Sequence, residues 1–268
     1  MRRLTLTISL CVIFAVNAVA QWSTVPNLTT YDKRKFHFGF FLGTNYMDFG
    51  FNYYSMPSLN PNYIAPSSSG DGFKYDPNSN VVAEVSSLTL GFTVGITTSL
   101  RINSWLDLRF LPGMSFGERK ITYSFPKNGT YPSSSVDEGD IVSTPYSYVA
   151  KSTYIDLPIL FKFKAQRAVN FRPYFVAGAS CRIDLETRDD DDDLVKLNGT
   201  SYMAEVGVGF DSFLQYFKFS TELRYGIGIN NVLGDIPDPK QVDDFDPQFM
   251  YPLKGLRPHV VTLIFYFE

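Results

Sequence analysis

The chain has 268 residues, 24 of them basic and 27 acidic, with a formal net charge of −3 at pH 7. This balance does not supply the basic surface that nucleic-acid binding requires, so we predict no nucleic-acid partner. Cysteine occurs only at Cys11 and Cys181, which excludes a disulfide framework, while the 24 Phe and 17 Tyr suit either a membrane barrel or a secreted β-sandwich.

Residues 1–20 have the three parts of a secretory signal peptide. Arg2 and Arg3 give the positive start, an apolar run follows, and the small-residue cleavage pattern Ala-Val-Ala ends at Ala20, before Gln21. We therefore expect export of the chain and removal of this segment.

The rest of the chain alternates between apolar and polar side chains in eight segments. A period of two residues is that of a β-strand with one apolar face, and none of the apolar positions is charged. In chain order, these alternating apolar faces are Phe36 to Leu42, Leu88 to Ile96, Leu106 to Phe110, Ile155 to Phe163, Phe175 to Ile183, Tyr202 to Phe210, Phe217 to Tyr225 and Val261 to Phe267.

The opposite faces of these segments are small, polar or charged, with glycines such as Gly39, Gly43 and Gly91. In a soluble sandwich this face would be the solvated surface. Two features argue against that arrangement: glycine weakens a strand unless space is tight, and the charges are nearly balanced. In a small membrane barrel the apolar face meets lipid and polar side chains fill the interior. The pattern therefore favours the barrel.

The connections between the segments alternate between long and short. The long ones are 50–86, 118–150, 186–200 and 229–257, and the short ones are 100–104, 164–171 and 212–215. Outer-membrane barrels have short periplasmic turns and longer extracellular loops. We therefore predict an all-β fold, an eight-stranded antiparallel transmembrane barrel of the cell outer membrane. Residues 21–35 form a periplasmic N-terminal extension and 36–268 the barrel. Its expected partners are outer-membrane lipid and, during insertion, the barrel-assembly machinery.

The inward-facing charges are the candidate site. Buried charges persist when they are paired, and the interior of an eight-stranded barrel is about filled by side chains. We therefore predict a structural network of ion pairs and no conducting pore. The members of this interior charge network are Arg109, Asp156, Arg182, Glu205, Glu222 and Arg224.

Nothing in the sequence marks a catalytic group. His37 and His259, the two histidines, fall near opposite ends of the predicted barrel, too far apart to share a site. The run Asp189 to Asp193 has oxygen ligands that suit Ca²⁺, but it lacks the spacing of a calcium loop, and a solvated loop is the alternative. We predict no enzyme activity and no catalytic, cofactor-binding or metal-binding residues.

The N-terminal extension ends in the basic cluster Lys33-Arg34-Lys35. Two interpretations stay open at this point. The extension is long enough to reach a neighbouring protein, and its cations would suit an acidic partner. A solvated tail is the simpler interpretation.

Three segments together resemble a known family. Residues 31–49 contain HFGF, LG and MDF, residues 91–123 contain LRF, PG and SFGER, and residues 152–185 contain DLPIL, RPY and VAG. This order resembles the PorT family of Bacteroidetes outer-membrane barrels, over about the first five strands. Residues 186–268 are similar only in barrel character.

The resemblance implies an accessory component of type IX secretion, which exports proteases, adhesins and gliding proteins. It also implies that other components of that system are partners, and it supplies no catalytic residues. A general small envelope barrel, structural or binding ligands through its loops, is the alternative.

Overall fold

The chain is an all-β protein whose strands are antiparallel neighbours in one ring-like sheet. The computed structural model describes residues 25–63, 82–85, 89–124, 146–185, 195, 197–234 and 250–268. Its strands are β1 (Phe36–Tyr53), β2 (Val82–Val85), β3 (Leu90–Arg101), β4 (Leu106–Phe110), β5 (Gly113–Ser124), β6 (Tyr146–Lys164), β7 (Phe171–Asp184), β8 (Thr200–Phe213), β9 (Lys218–Gly228) and β10 (Leu253–Phe267). Short 3-10 helices lie at Tyr31–Lys33 and Pro57–Leu59.

The sheet closes on itself because β1 pairs with β10 on one side and with β3 on the other. From β10 the ring continues through β9, β8, β7 and β6, each antiparallel to the next. Strands β4 and β5 both pair with β6 and with β3, which completes the ring. Strand β2 pairs with the part of β5 that extends beyond β3, on the same edge of β5 as β3, so β2 and β3 occupy one place in the ring.

The sheet has ten strands, whereas the sequence predicts eight. One additional strand arises because β4 and β5 occupy the same place between β3 and β6, separated only by Leu111 and Pro112. Pro112 has no N–H to donate, and its carbonyl oxygen accepts a hydrogen bond from the N–H of Ile96 at 2.9 Å. The other additional strand, β2, lies in residues 50–86, where the sequence analysis expects only a loop.

Several strands also continue beyond their predicted ends. β1 reaches Tyr53, β6 begins at Tyr146 and β10 begins at Leu253, so the long connections are shorter than predicted. The three short connections, 102–105, 165–170 and 214–217, lie within a few residues of their predicted places. They meet at one end of the ring, which we call the short-turn end; the opposite end is the far end.

The two faces of the ring are those that the alternation predicts. On the outward face, apolar side chains are exposed, with Phe38 and Leu90 66% and 65% exposed. On the inward face, Thr97, Ser220 and Glu222 are all 0% exposed. Apolar outside and polar inside is the reverse of a soluble sandwich. In the described ranges, no helix is long and apolar enough to cross a membrane.

The interior is closely packed. Gly209 faces inward from β8, and a Cβ atom added there would lie 2.6 Å from both the hydroxyl oxygen of Tyr174 and the carbonyl oxygen of Thr221. Only glycine at position 209 leaves room for the tyrosine ring. This explains why a glycine occurs within the strand, although glycine otherwise weakens strands.

Candidate functional site

Strand alternation directs all six residues of the predicted interior charge network into the ring. Arg109 comes from β4, Asp156 from β6, Arg182 from β7, Glu205 from β8, and the last two from β9. The side chains of Arg109 and Glu222 are 0% exposed. Every charge in such a place must be paired, because an isolated ion is costly to remove from water.

Four of the six form a connected group around Glu222. The Arg109 Nη1 atom lies 3.0 Å from Glu222 Oε2, and Arg224 Nη2 lies 2.7 Å from Glu222 Oε1. Arg224 also reaches Glu205 Oε2 at 3.0 Å through Nη1. The Tyr266 hydroxyl donates to Glu222 Oε1 at 3.0 Å, and the Arg109 guanidinium lies 4.1 Å from the centre of the tyrosine ring. Each guanidinium therefore has a carboxylate and an aromatic or hydroxyl neighbour.

The remaining two residues form a second pair. Arg182 donates to both carboxylate oxygens of Asp156, through Nε at 2.5 Å and Nη2 at 3.2 Å. The Ser115 hydroxyl donates to Asp156, and the Ser180 hydroxyl donates to Glu205 of the first group. Both groups line one cavity of about 30 Å³, which has room for a water molecule.

The network contains further charged residues besides the six predicted ones. They lie nearer the short-turn end. Lys162 Nζ donates to both oxygens of Asp211, at 2.6 and 2.9 Å, and Lys218 pairs with Glu268. Glu268 also lies 3.3 Å from Arg109 Nη2, which links this part to the first group. The strand alternation already indicates that Lys162, Asp211 and Lys218 face inward, so the signal was available.

The arrangement is suited to holding strands together. It cross-links β4, β6, β7, β8 and β9 through charge-assisted hydrogen bonds, which are stronger than neutral ones. The carboxylates of Glu222, Asp211 and Asp156 are each engaged by a cation and a hydroxyl group.

The two histidines lie in different environments. His37 faces inward at the short-turn end, where its ring stacks on Tyr31 at 4.0 Å. His259 lies on β10 beside Tyr225, whose hydroxyl is 3.1 Å from the Nδ1 atom. Among the described residues, no group of three or more His, Cys, Asp or Glu side chains could hold a metal ion. The run Asp189 to Asp193 lies outside those residues, and the absence of catalytic and metal-binding residues stays a prediction.

The N-terminal extension is not a solvated tail at Asn27, Tyr31 and Asp32, which are half-buried and hydrogen-bonded to the ring, whereas its basic cluster is exposed. Residues 25–35, which we call the N-terminal strap, cross the mouth of the ring at the short-turn end. The Tyr31 hydroxyl donates to Glu268 Oε2 at 2.6 Å, and its ring centre lies 4.7 Å from Lys218 Nζ. The Asn27 N–H donates to Asn170 Oδ1 at 2.7 Å. These hydrogen bonds hold the strap against the end of the ring.

Asp32 anchors the strap in the middle of the mouth. Its two carboxylate oxygens accept hydrogen bonds from Arg172 of β7 at 2.8 and 2.7 Å. The guanidinium of Arg167 lies 3.7 Å away. On the other side, the backbone carbonyl of Asp32 accepts a hydrogen bond from Arg101 at the end of β3. The sequence offers no periodic signal for these contacts.

Replacing Asp32 by Asn should lower the free energy of unfolding at pH 7 by about 1–2 kcal/mol, because a charge-assisted pair is lost. Burial alone raises the pKa of Asp32, but the hydrogen bonds and charge of Arg172, with Lys164 and Arg167, lower that pKa below its usual value. A lowered folded-state pKa stabilises the fold above the unfolded value of about 3.9. This stability is lost as the pH falls through the folded-state pKa.

Urea unfolding of both proteins between pH 7 and pH 2 tests this expectation. The difference between wild type and Asp32→Asn should be constant from pH 7 to about pH 5 and shrink below about pH 4. Lys33→Gln, an exposed neighbour in the strap, is the control and should match wild type. A difference that persists unchanged to pH 2 would contradict the ion pair.

Comparisons with known proteins point to the same class of fold. The family model described as "Outer membrane protein beta-barrel domain" matches residues 19–234. Among solved structures, the crystal structure of a Pseudomonas aeruginosa FadL homologue aligns with 93% of this chain and 96% of that one. The identity is 10% and the TM-score 0.21, too low to support a structural argument. No curated protein matches the chain. The family match covers well over half of the residues, and the chain therefore belongs to the family of outer membrane protein β-barrel domains.

Proposed function

We propose that the protein is a non-enzymatic, eight-stranded outer-membrane barrel that serves as an accessory component of type IX protein secretion. The resemblance of residues 31–49, 91–123 and 152–185 to the PorT family supports the secretion role. The pairing of strands supports the barrel: β4 and β5 share one place in the ring and β2 and β3 share another, which leaves eight places. The family of outer membrane β-barrel domains supports the location.

The observation that carries this proposal is the filled interior. The side chains of Arg109 and Glu222 are completely buried inside the ring, and the cavity lined by Arg182, Glu205 and Arg224 is only about 30 Å³. A folded protein cannot pass through such a lumen, and eight strands leave only enough room for side chains. The proposed protein therefore acts beside a larger translocating assembly, by helping it to form or to stay in place.

In this proposal the short-turn end faces the periplasm, as short turns do in outer-membrane barrels. A small epitope tag inserted between Asn103 and Ser104, or between Lys164 and Ala165, should then be inaccessible to antibody on intact cells. A tag in Ser67 to Gly70 or in Ser133 to Ser135, within the long connections, should be accessible. Labelling of intact cells at the short turns would contradict the orientation, and permeabilised cells serve as the control.

Deletion of the gene tests the secretion role. Cargo proteins that carry type IX C-terminal signals should accumulate unprocessed in the periplasm, while unrelated outer-membrane proteins assemble normally. The readouts are immunoblots of the culture medium and of the periplasm, with a plasmid copy of the wild-type gene as the complementation control. Normal release of cargo from the deletion strain would refute the assignment.

One observation favours the alternative of a loop-presenting envelope barrel. Strands β1, β5 and β10 continue past the apolar outward face. Their inward side chains contribute to a hydrophobic core at the far end. Phe49, Ile121 and Leu256 belong to this core. Such a packed base would hold extracellular loops rigidly for binding. This alternative predicts that deletion leaves cargo release intact.

A further inference from the structure

The basic cluster of the N-terminal strap is exposed although the strap itself is held in place. Lys33, Arg34 and Lys35 are all exposed, and none of the three forms an ion pair with another residue in the described ranges. The chain as a whole is acidic, with a formal net charge of −3. Three adjacent cations without partners therefore stand out against the rest of the molecule.

The contacts on either side of the cluster fix its position. Before it, Asp32 is bound by Arg172 of β7 and Arg101 of β3. These strands are separated by β4, β5 and β6 in one direction around the ring, and by β1, β10, β9 and β8 in the other. At its last residue, the Lys35 carbonyl accepts a hydrogen bond from the Arg101 N–H at 2.8 Å. Arg101, at the end of β3, thus holds the backbone both just before Lys33 and at Lys35.

Nearby carboxylates cannot neutralise the cluster, because they are already engaged. Asp32 is occupied by two arginines, Glu268 by Lys218 and Arg109, and Asp107 by Lys164 at 2.6 Å. The charged side chains inside the ring are paired with one another. Among the described residues, the three cations of the cluster are therefore left as a positively charged surface exposed to water.

We propose that Lys33, Arg34 and Lys35 form a docking surface for an acidic segment of a periplasmic protein. This inference deepens the proposed function and rests on its orientation of the short-turn end. Because the cluster is positively charged, its partner should be negatively charged. Because the backbone of the strap is already held in place, binding costs less conformational entropy than it would for a free tail. Phospholipid phosphates are the competing anion. Lys35 adjoins the lipid-facing Phe36, but Lys33 directly follows Tyr31 and Asp32, whose side chains bond to Glu268 and Arg172 within the ring, which favours a protein.

A matched pair of double variants tests the surface. Lys33→Gln with Arg34→Gln removes one lysine and one arginine from the cluster. Lys254→Gln with Arg257→Gln removes the same two residue types from exposed positions of β10 near the far end. Neither pair contributes to the interior network, so both variants should show the wild-type shift between folded and unfolded bands on unheated gels.

The probe is a fluorescent peptide of ten glutamates, titrated against each protein in uncharged phosphatidylcholine nanodiscs at low salt. Loss of two exposed charges should weaken binding about tenfold in the strap variant. The β10 variant should bind as wild type does, and 0.5 M salt should abolish the difference. Equal affinity of the two variants would overturn the proposal. Retention of phosphatidylglycerol that depends on Lys33 and Arg34, with peptide binding unchanged, would also overturn it in favour of lipid.

Cells separate this inference from the proposed function. In a deletion strain complemented with the strap variant, cargo release should fall well below that of the strain complemented with the β10 variant. If the strap variant restores full release while the deletion alone traps cargo, the docking surface is wrong and the secretion role stands. If the deletion itself leaves release normal, the secretion role fails, and the peptide titration alone decides whether the strap binds acidic segments.

Discussion

Replacing Arg224 by Ala should lower the free energy of unfolding by about 3–5 kcal/mol, the cost of leaving buried charge unpaired. Arg224 binds Glu222 and Glu205 at once, at 2.7 and 3.0 Å. Glu222 keeps Arg109 as a partner after the substitution, whereas Glu205 keeps one hydrogen bond among the described residues, from the hydroxyl of Ser180. The measurement is urea unfolding of the protein in lipid vesicles, followed by tryptophan fluorescence and by gel mobility without heating.

Arg257→Ala is the matched control for this variant. Arg257 is an exposed arginine of β10, outside the interior network, and its removal should change the free energy of unfolding by no more than about 0.5 kcal/mol. If both variants unfold at the same urea concentration, the interior ion pairs contribute nothing to the barrel. Water entering the cavity beside Arg182 and Glu205 would reduce the effect, and a value near 3 kcal/mol is then expected.

Replacing Ile96 by Arg should cost about 2–4 kcal/mol, the penalty for a cation on the lipid face near the bilayer midplane. Ile96 lies on the outward face of β3 opposite Phe40 of β1 and is 58% exposed. Its surroundings on that face are hydrocarbon in a membrane, so the guanidinium has no partner there. The amount of folded protein recovered after refolding into vesicles should fall accordingly.

The same charge placed outside the apolar belt tests whether depth matters. Asn52 is exposed on β1 beyond the apolar outward positions, and Asn52→Arg should refold as wild type does. Equal tolerance of arginine at both positions would mean that the outward face does not meet lipid. Detergent solutions do not make this distinction well, so both refolding experiments use vesicles.

The orientation of side chains could be predicted from the sequence because the barrel has two environments and a strand alternates between them. The residues at which the strands end could not be predicted in this way. Beyond about Tyr46 on β1, the apolar side chains move to the inward face: Phe49 is buried, whereas Asp48 lies on the outward parity. On β10, Leu256 is buried and Arg257 is exposed. A search for one apolar parity stops at this inversion, although the strand continues.

Alternation along the strands also predicts which charges face inward, but not how they pair. Five of the six predicted residues are buried and Asp156 is half-buried, but a list based on parity does not show which carboxylate meets which cation. The contacts of the strap were beyond prediction, because they join residues far apart in sequence. Asp32 and Arg172 are separated by 140 positions, and Tyr31 and Glu268 by 237. No local pattern encodes such partners.

The N-terminal strap has a consequence for the order in which the chain folds. Its binding surface is assembled from Arg172 of β7, Phe213 of β8, Lys218 of β9 and Glu268, which follows β10. These groups come together only when the last strand has joined the ring. The strap precedes every strand in the chain, yet we expect it to be the last part to become ordered, after the ring has closed. Contacts between residues so distant in sequence form late because the loops they close are long.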